Sequence, residues 1–259
     1  MSTVLNQKAF QTQPVRATVE LDDGPGRYRI GLIALASDHV TERDFMNMRP
    51  NDDVVIYTSR VLNVNPCTVE NLLTMGPRLT EAASLILPQS RLDVIAYSCT
   101  SGTTVLGYDT VAGSIRAARP NIPCVTPITA ACAGFEVLGV KRVAVLTPYI
   151  DEVNLPIQQF LMSNGLEVTK FTSFGMPDDN DMAHIPPETI YRAAVEANDV
   201  DAEALFISCT AIRAVEVIDR IEAKIGKPVV SAVQALFWQS LREAGYTEKV
   251  TGYGELLCL

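Results

Sequence analysis

Leu92-Asp93-Val94-Ile95-Ala96-Tyr97-Ser98-Cys99-Thr100 reads as an acidic residue, a short apolar run and a Ser-Cys-Thr tripeptide. The same grammar returns in Ala202-Glu203-Ala204-Leu205-Phe206-Ile207-Ser208-Cys209-Thr210. A continuous apolar run of this length is the pattern of a strand buried on both faces of a parallel sheet. A polar tripeptide at its end, passing into a helix, places a thiol at the carboxyl end of the strand, which is where open α/β sheets bind their ligands. Two copies put two thiols at one site.

The repeat extends beyond the tripeptide. Arg29-Ile30-Gly31-Leu32-Ile33 matches Arg142-Val143-Ala144-Val145-Leu146, Tyr57-Thr58-Ser59 matches Phe171-Thr172-Ser173, and Pro123-Cys124-Val125-Thr126 matches Pro228-Val229-Val230-Ser231, all in the same order. Collinear matches point to a duplicated unit; convergence among βα units that look alike is the other reading. Apolar, β-rich runs are expected as strands at 29–36, 54–58, 94–97, around Val125, 142–146, 167–171, 204–207 and 229–230, with helical patterns between them. One pattern is the stripe Ile212, Val215, Ile218, Ile221 and Ile225, which stops at Gly226 with Pro228 beyond. The expected fold class is α/β, with two pseudo-symmetric, duplicated domains built on parallel sheets and the site in the cleft between them. The expected organisation is an N-terminal arm over 1–27, a first α/β domain over 28–135 carrying Cys99, and a second over 136–259 carrying Cys209. That division leaves room for the C-terminal segment to pack back on the first domain.

The 259 residues, 47% of them hydrophobic, suffice for a sizeable core and exclude a disordered chain. No apolar stretch approaches the ~20 residues of a membrane span, and the N-terminus lacks the pattern of a secretory signal. Six cysteines without close pairing do not read as a disulfide framework, so a cytoplasmic protein with reduced thiols is expected. The net charge of −9 argues against nucleic acid and anionic membrane as partners. With two histidines, no Cys-x-x-Cys and no phosphate-binding loop motif, neither a metal nor an organic cofactor is expected.

At a helix N-terminus, free N–H groups and the helix dipole favour a thiolate. The hydroxyls of Thr100, Ser101, Thr103, Thr104 and Thr210 and the backbone beside them suit a substrate carboxylate, or the enolate left when a proton departs from the adjacent carbon. Gly102 would permit an unusual backbone at the first thiol. Two thiols opposed across a planar carbanion can remove and return a proton, or one can add to an activated double bond while the other handles the proton. The plainer reading makes both cysteines small buried hydrophobes. Cys67, Cys124, Cys132 and Cys258 lack the tripeptide context and read as core or surface residues.

From Tyr28 onward, the chain resembles the Asp/Glu racemase superfamily, and within it the branch of maleate cis-trans isomerase, arylmalonate decarboxylase and related ectoine-utilisation proteins. The paired cysteine motifs carry the superfamily likeness. Tyr28–Ile33 with Ser37–Glu42, Leu146–Tyr149 and Asp179–Ile185 carry the branch likeness. The resemblance implies that Cys99 is the nucleophile or first base and Cys209 the proton donor. It implies that Tyr149 and Asn180 bind a substrate carboxylate, with Thr100, Ser101 and Thr210 completing the anion holes. It also implies a small carboxylic or amino acid as substrate, and a homo-oligomer, dimeric or tetrameric. Both cysteines are present, whereas arylmalonate decarboxylase keeps only the second, and this favours two-base isomerisation or racemisation over decarboxylation.

Asp38 stands where maleate isomerases have asparagine. An ionised carboxylate there would repel a substrate carboxylate by about 1–4 kcal/mol at ~4 Å and would suit an ammonium group instead. The alternative is an N-cap for the helix that begins near Thr41. Three functions compete: a cofactor-independent isomerase, a malonate-type decarboxylase that needs only Cys209, and a non-catalytic small-molecule binding protein.

Overall fold

Among the described residues, eight strands pair into two four-stranded sheets, every pairing parallel, in the orders β2-β1-β3-β4 and β6-β5-β7-β8. The computed structural model describes residues 12–259; residues 1–11 of the expected arm lie outside them. The strands are β1 Tyr28–Leu35, β2 Val54–Val61, β3 Val94–Tyr97, β4 Cys124–Val125, β5 Arg142–Thr147, β6 Glu167–Ser173, β7 Ala204–Ile207 and β8 Val229–Ser231. They coincide with the eight apolar runs. The helices are α1 Thr41–Met48, α2 Val69–Leu73, α3 Leu79–Ser84, α4 Thr100–Leu106, α5 Tyr108–Ala118, α6 Pro127–Val137, α7 Asp151–Ser163, α8 Asp179–Ala183, α9 Pro187–Ala197, α10 Ile218–Ile225 and α11 Ala232–Glu243. Among the described residues no helix is long and apolar enough to cross a membrane.

The duplication is visible in register as well as order. Ile33 pairs with Tyr97 at the end of β1–β3, and Leu146 with Ile207 at the end of β5–β7. The amide of Ser98 donates to the Ile33 carbonyl at 2.9 Å, and that of Ser208 to the Leu146 carbonyl at 2.9 Å. The acidic lead-ins have matching duties. Asp93 accepts from the Arg29 amide at 2.7 Å, and Glu203 from the amides of Lys141 and Arg142 at 2.7 and 3.0 Å. Each carboxylate thus ties its strand to the start of the neighbouring one, satisfying backbone donors that would otherwise be left at the sheet's end.

After β4 and β8, each sheet sends a capped helix toward the other. Ser231 and Gln234 form a reciprocal capping box at the start of α11. Helix α11 packs on α1, β1, β3 and β4, with Phe237 meeting Phe45 edge to face at 4.9 Å. Helix α6 packs against α11 and β8, and Phe135 meets Phe206 of β7 at 6.0 Å. The segment after α11 continues over the first sheet, where the Tyr253 hydroxyl donates to the Asn47 carbonyl at 2.7 Å.

One expected helix differs. The stripe from Ile212 is not helical throughout: residues 209–214 are irregular, a single 3-10 turn spans Val215–Val217, and α10 begins only at Ile218. Ile212 and Ala214 are buried all the same, because they pack within an irregular segment rather than on a helix face. The other end is as expected, with Gly226 left-handed at φ 69°.

Candidate active site

The crossover order places β1/β3 and β5/β7 at the centres of their sheets, and both tripeptides leave from carboxyl ends there. Cys99 and Cys209 are 3% and 4% exposed; Cys99 lies close enough to push the Cys209 thiol up, and both push up Cys67. One bond joins the two motifs directly: the Thr210 hydroxyl donates to the Ser98 carbonyl at 3.2 Å.

Cys99 is the N-cap of α4. Its sulfur accepts the Gly102 amide at 3.2 Å and lies 3.7 Å from the Ser101 hydroxyl. Burial pushes the thiol up, the Gly102 amide, Ser101 and Tyr97 pull it down while Asp179 pushes it up, and the balance is about 11. The reason for glycine at 102 is space rather than an unusual backbone. A Cβ there would meet the Tyr97 hydroxyl at 2.7 Å and the Cys99 sulfur at 2.8 Å.

Cys209 is held differently. It sits at φ 91°, a left-handed backbone that a β-carbon disfavours, and no helix follows it. Its sulfur accepts the Ala211 amide at 3.2 Å. Burial pushes this thiol up further than Cys99, with the Tyr149 hydroxyl the chief group opposing it. Tyr149 is buried and its own hydroxyl is pushed well up by burial and by Cys209. Its carbonyl accepts from Asn154 Nδ2 at 2.9 Å and from the Ser173 hydroxyl, which fixes the tyrosine's backbone at the mouth of β5.

Of the other expected residues, Ser101 lies between sulfurs, 3.7 Å from Cys99 and 4.0 Å from Cys67. The Thr100 hydroxyl is buried beside Cys99 and has no partner among the described residues. Thr210 spends its hydroxyl on the strut to Ser98. Asp38 is a cap: Oδ1 accepts the amides of Val40 and Thr41 at 2.7 and 2.8 Å, and Oδ2 accepts the Thr41 hydroxyl at 2.5 Å. Both oxygens accept bonds from the turn into α1. Asn180 is exposed, with its amide and side chain both donating to Asp178 Oδ1. The structure does not bring it to the thiols.

Two residues the sequence reading passed over do face them. Asp179, 8% exposed, acts on both thiols and on Cys67. Cys67 is buried beside Ser101, its amide donating to the Pro177 carbonyl at 2.7 Å across the lobes. A signal for Asp179 existed: it shares one helical face with Met182 and Ala183, the buried side of α8, while Asn180 falls off that face. Tyr97, the last residue of β3, is likewise an unanticipated neighbour of Cys99.

Two α/β lobes with a pair of buried thiols at the carboxyl ends of their central strands form the candidate site. The chain belongs to the arylmalonate decarboxylase family, whose model matches residues 81–257. This places it in the maleate isomerase and arylmalonate decarboxylase branch of the Asp/Glu racemase superfamily. It is 36% identical over 138 residues to arylmalonate decarboxylase of Bordetella bronchiseptica, a match spanning 52% of this chain and only 58% of that protein. It is 25% identical to maleate isomerase of Alcaligenes faecalis over 89% of this chain and 96% of the relative. The fold is shared with a Nocardia farcinica maleate cis-trans isomerase, a cysteine-to-serine mutant with a covalently bound succinylcysteine intermediate (TM-score 0.79, 23% identity, 89% of this chain and 98% of that one).

Proposed function

We propose that this protein is a cofactor-independent isomerase of a small carboxylic acid, with Cys99 and Cys209 acting from opposite sides of the substrate. The observation that carries the reading is the convergence of two buried thiols, each with its own backbone N–H and its own tyrosine hydroxyl, in one cleft. Cys99, the less strongly raised thiol, is the first base or nucleophile. Cys209, held protonated by burial, is the proton donor. Thr100 and Ser101 offer hydroxyls to a substrate carboxylate or to the enolate, and Tyr149 orients the donor thiol.

Two reactions fit. In racemisation the Cys99 thiolate takes the α-proton, the electron pair rests in the enolate, and the Cys209 thiol returns a proton to the far face. In maleate-type isomerisation the Cys99 thiolate adds to one alkene carbon, and Cys209 protonates the carbanion formed at the other. Rotation about the resulting single bond, removal of that proton and loss of the thiolate give the trans acid. The succinylcysteine of the Nocardia relative supports the second route. A decarboxylase that uses Cys209 alone to protonate the enolate after loss of carbon dioxide is supported by the family match.

The test is proton NMR in D2O with maleate, L-aspartate and phenylmalonate, on the full chain and on Cys99→Ala and Cys209→Ala. Turnover abolished in both variants supports the two-thiol isomerase. Carbon dioxide release that needs Cys209 but survives Cys99→Gly assigns the decarboxylase. Turnover that survives both single substitutions excludes thiol chemistry, and ligand binding without turnover leaves the non-catalytic binding protein.

A further inference from the structure

Three carboxylates in the described chain are at least nine-tenths buried: Asp38, Asp44 and Asp179. Two have compensation on the page. Asp38 accepts three hydrogen bonds at the turn into α1, and Asp44 pairs with the Arg43 guanidinium at 2.7 Å. Asp179 has no such compensation by charge: its Oδ2 accepts from Asn63 Nδ2 at 3.0 Å, and the Cys67 thiol is its other side-chain donor. No lysine, arginine or histidine among them forms an ion pair with it. The charged groups that act on it, Asp178 and Asp38, are acidic like itself.

A carboxylate taken out of water without a counter-ion is costly, and chains retain such a group where something else supplies the opposite charge. Asp179 lies beside Cys67, whose sulfur is 4.0 Å from the Ser101 hydroxyl, itself 3.7 Å from the Cys99 sulfur, and its charge acts on both thiols. A second buried group beside Cys99, the Thr100 hydroxyl, is also without a partner and can donate to an anionic oxygen. The cleft thus offers an acidic side chain without a counter-ion, its carboxyl pKa raised by burial, and a set of neutral donors, the complement of a molecule that is cationic at one end and anionic at the other.

We propose that Asp179 is the specificity-determining residue of this site and takes the ammonium group of the substrate, so that the acids turned over are α-amino acids rather than plain dicarboxylates. The inference rests on the two-thiol isomerase reading and narrows it to racemisation. The zwitterion sets its ammonium against Asp179 and its carboxylate among the Thr100 and Ser101 donors, with the α-carbon between Cys99 and Cys209. A dianion such as maleate would bring a second negative charge against Asp179 in a poorly screened cleft.

The test measures α-proton exchange in D2O by proton NMR for L-aspartate, L-alanine and L-lysine and for the N-acetyl form of each, with maleate and phenylmalonate alongside. It uses the full chain, Asp179→Asn and Asp179→Ala. The expected result is exchange into a free amino acid, weaker by about 100-fold in its N-acetyl form and lost to a similar degree in Asp179→Asn. Asparagine distinguishes the roles. If Asp179 served as a neutral acid donating to a substrate carboxylate, the amide would still donate, and turnover would persist. Thermal unfolding serves as the folding control, since removing an uncompensated buried charge should hold or raise Tm. Equal exchange in free and acetylated forms, full activity of Asp179→Asn, or no exchange into any amino acid overturns the proposal. Cysteine-dependent conversion of maleate together with silent amino acids would overturn it while leaving the proposed function standing, whereas decarboxylation of phenylmalonate with silent amino acids would overturn both.

Discussion

Cys99 and Cys209 end equivalent strands under the same tripeptide, yet the chain treats them differently. The first lobe gives its thiol a helix to cap, an amide three residues on, a serine hydroxyl and the tyrosine that precedes it on its own strand. The second lobe follows its thiol with irregular chain, supplies an amide two residues on, and borrows a tyrosine from the loop after β5. The backbone differs as well, relaxed at Cys99 with φ −148° and left-handed at Cys209 with φ 91°. A duplicated frame holds two unequal thiols, both pushed up by burial, Cys209 further than Cys99. The proposed directional proton transfer calls for such an inequality.

The largest effects should come from removing either member. Cys99→Ala and Cys209→Ala are each expected to cost about 1,000-fold or more in turnover, read by deuterium uptake or product formation. A variant pair of very unequal effect would show that only one thiol does chemistry. Next in size is Tyr149→Phe, expected to slow turnover about 10- to 100-fold through the proton donor. Tyr97→Phe should act on the Cys99 limb of the pH profile instead; if both shift the same limb, the two tyrosines do not serve separate thiols.

The inequality also has an alkaline signature. With rising pH, alkylation by iodoacetamide, located by mass spectrometry, should reach Cys99 before Cys209, because burial raises Cys99 less, to about 11. Burial raises both folded-state thiols above the ordinary 9.0. Their contribution to stability is therefore fully present below that pH and is lost as pH climbs through the folded value. Tm should fall on that side, and Cys209→Ala should flatten the fall. The smallest effects are structural. Asp38→Ala should lower stability by about 1 kcal/mol through the lost cap, and Thr210→Val by about 1 kcal/mol through the lost bond to Ser98. Cys209→Gly should relieve backbone strain and recover about 1 kcal/mol while abolishing turnover, a gain that Cys99→Gly should not share.

All eight strands were legible because fully buried parallel strands are continuous apolar runs, and Gly226 with Pro228 marked the end of α10 as such residues ordinarily do. The tripeptides located the thiols. What local pattern could not carry were groups brought in from elsewhere in the chain: Cys67 from the loop after β2, Asp179 from the start of α8, Tyr97 through its strand's register. Asp38 had two readings, and its three local hydrogen bonds serve the turn into α1. The stripe from Ile212 failed as a helix because burial in this fold does not demand helicity there, a tertiary override of periodicity.

The exchange of α6 and α11 bears on how the chain comes to be folded at all. Each sheet receives part of its cover from a helix that follows the other lobe's strands or reaches into the other lobe's core, as Phe237 does at Phe45 and Phe135 at Phe206. Neither half can seal its interior until the other has been synthesised, and the contacts that complete the first sheet lie nearly the whole chain apart. Such long-range closure is slow to form but makes the two lobes one cooperative unit. A chain severed between α6 and β5 would leave both fragments with an unmet apolar face, and recovery of the fold should require both pieces together.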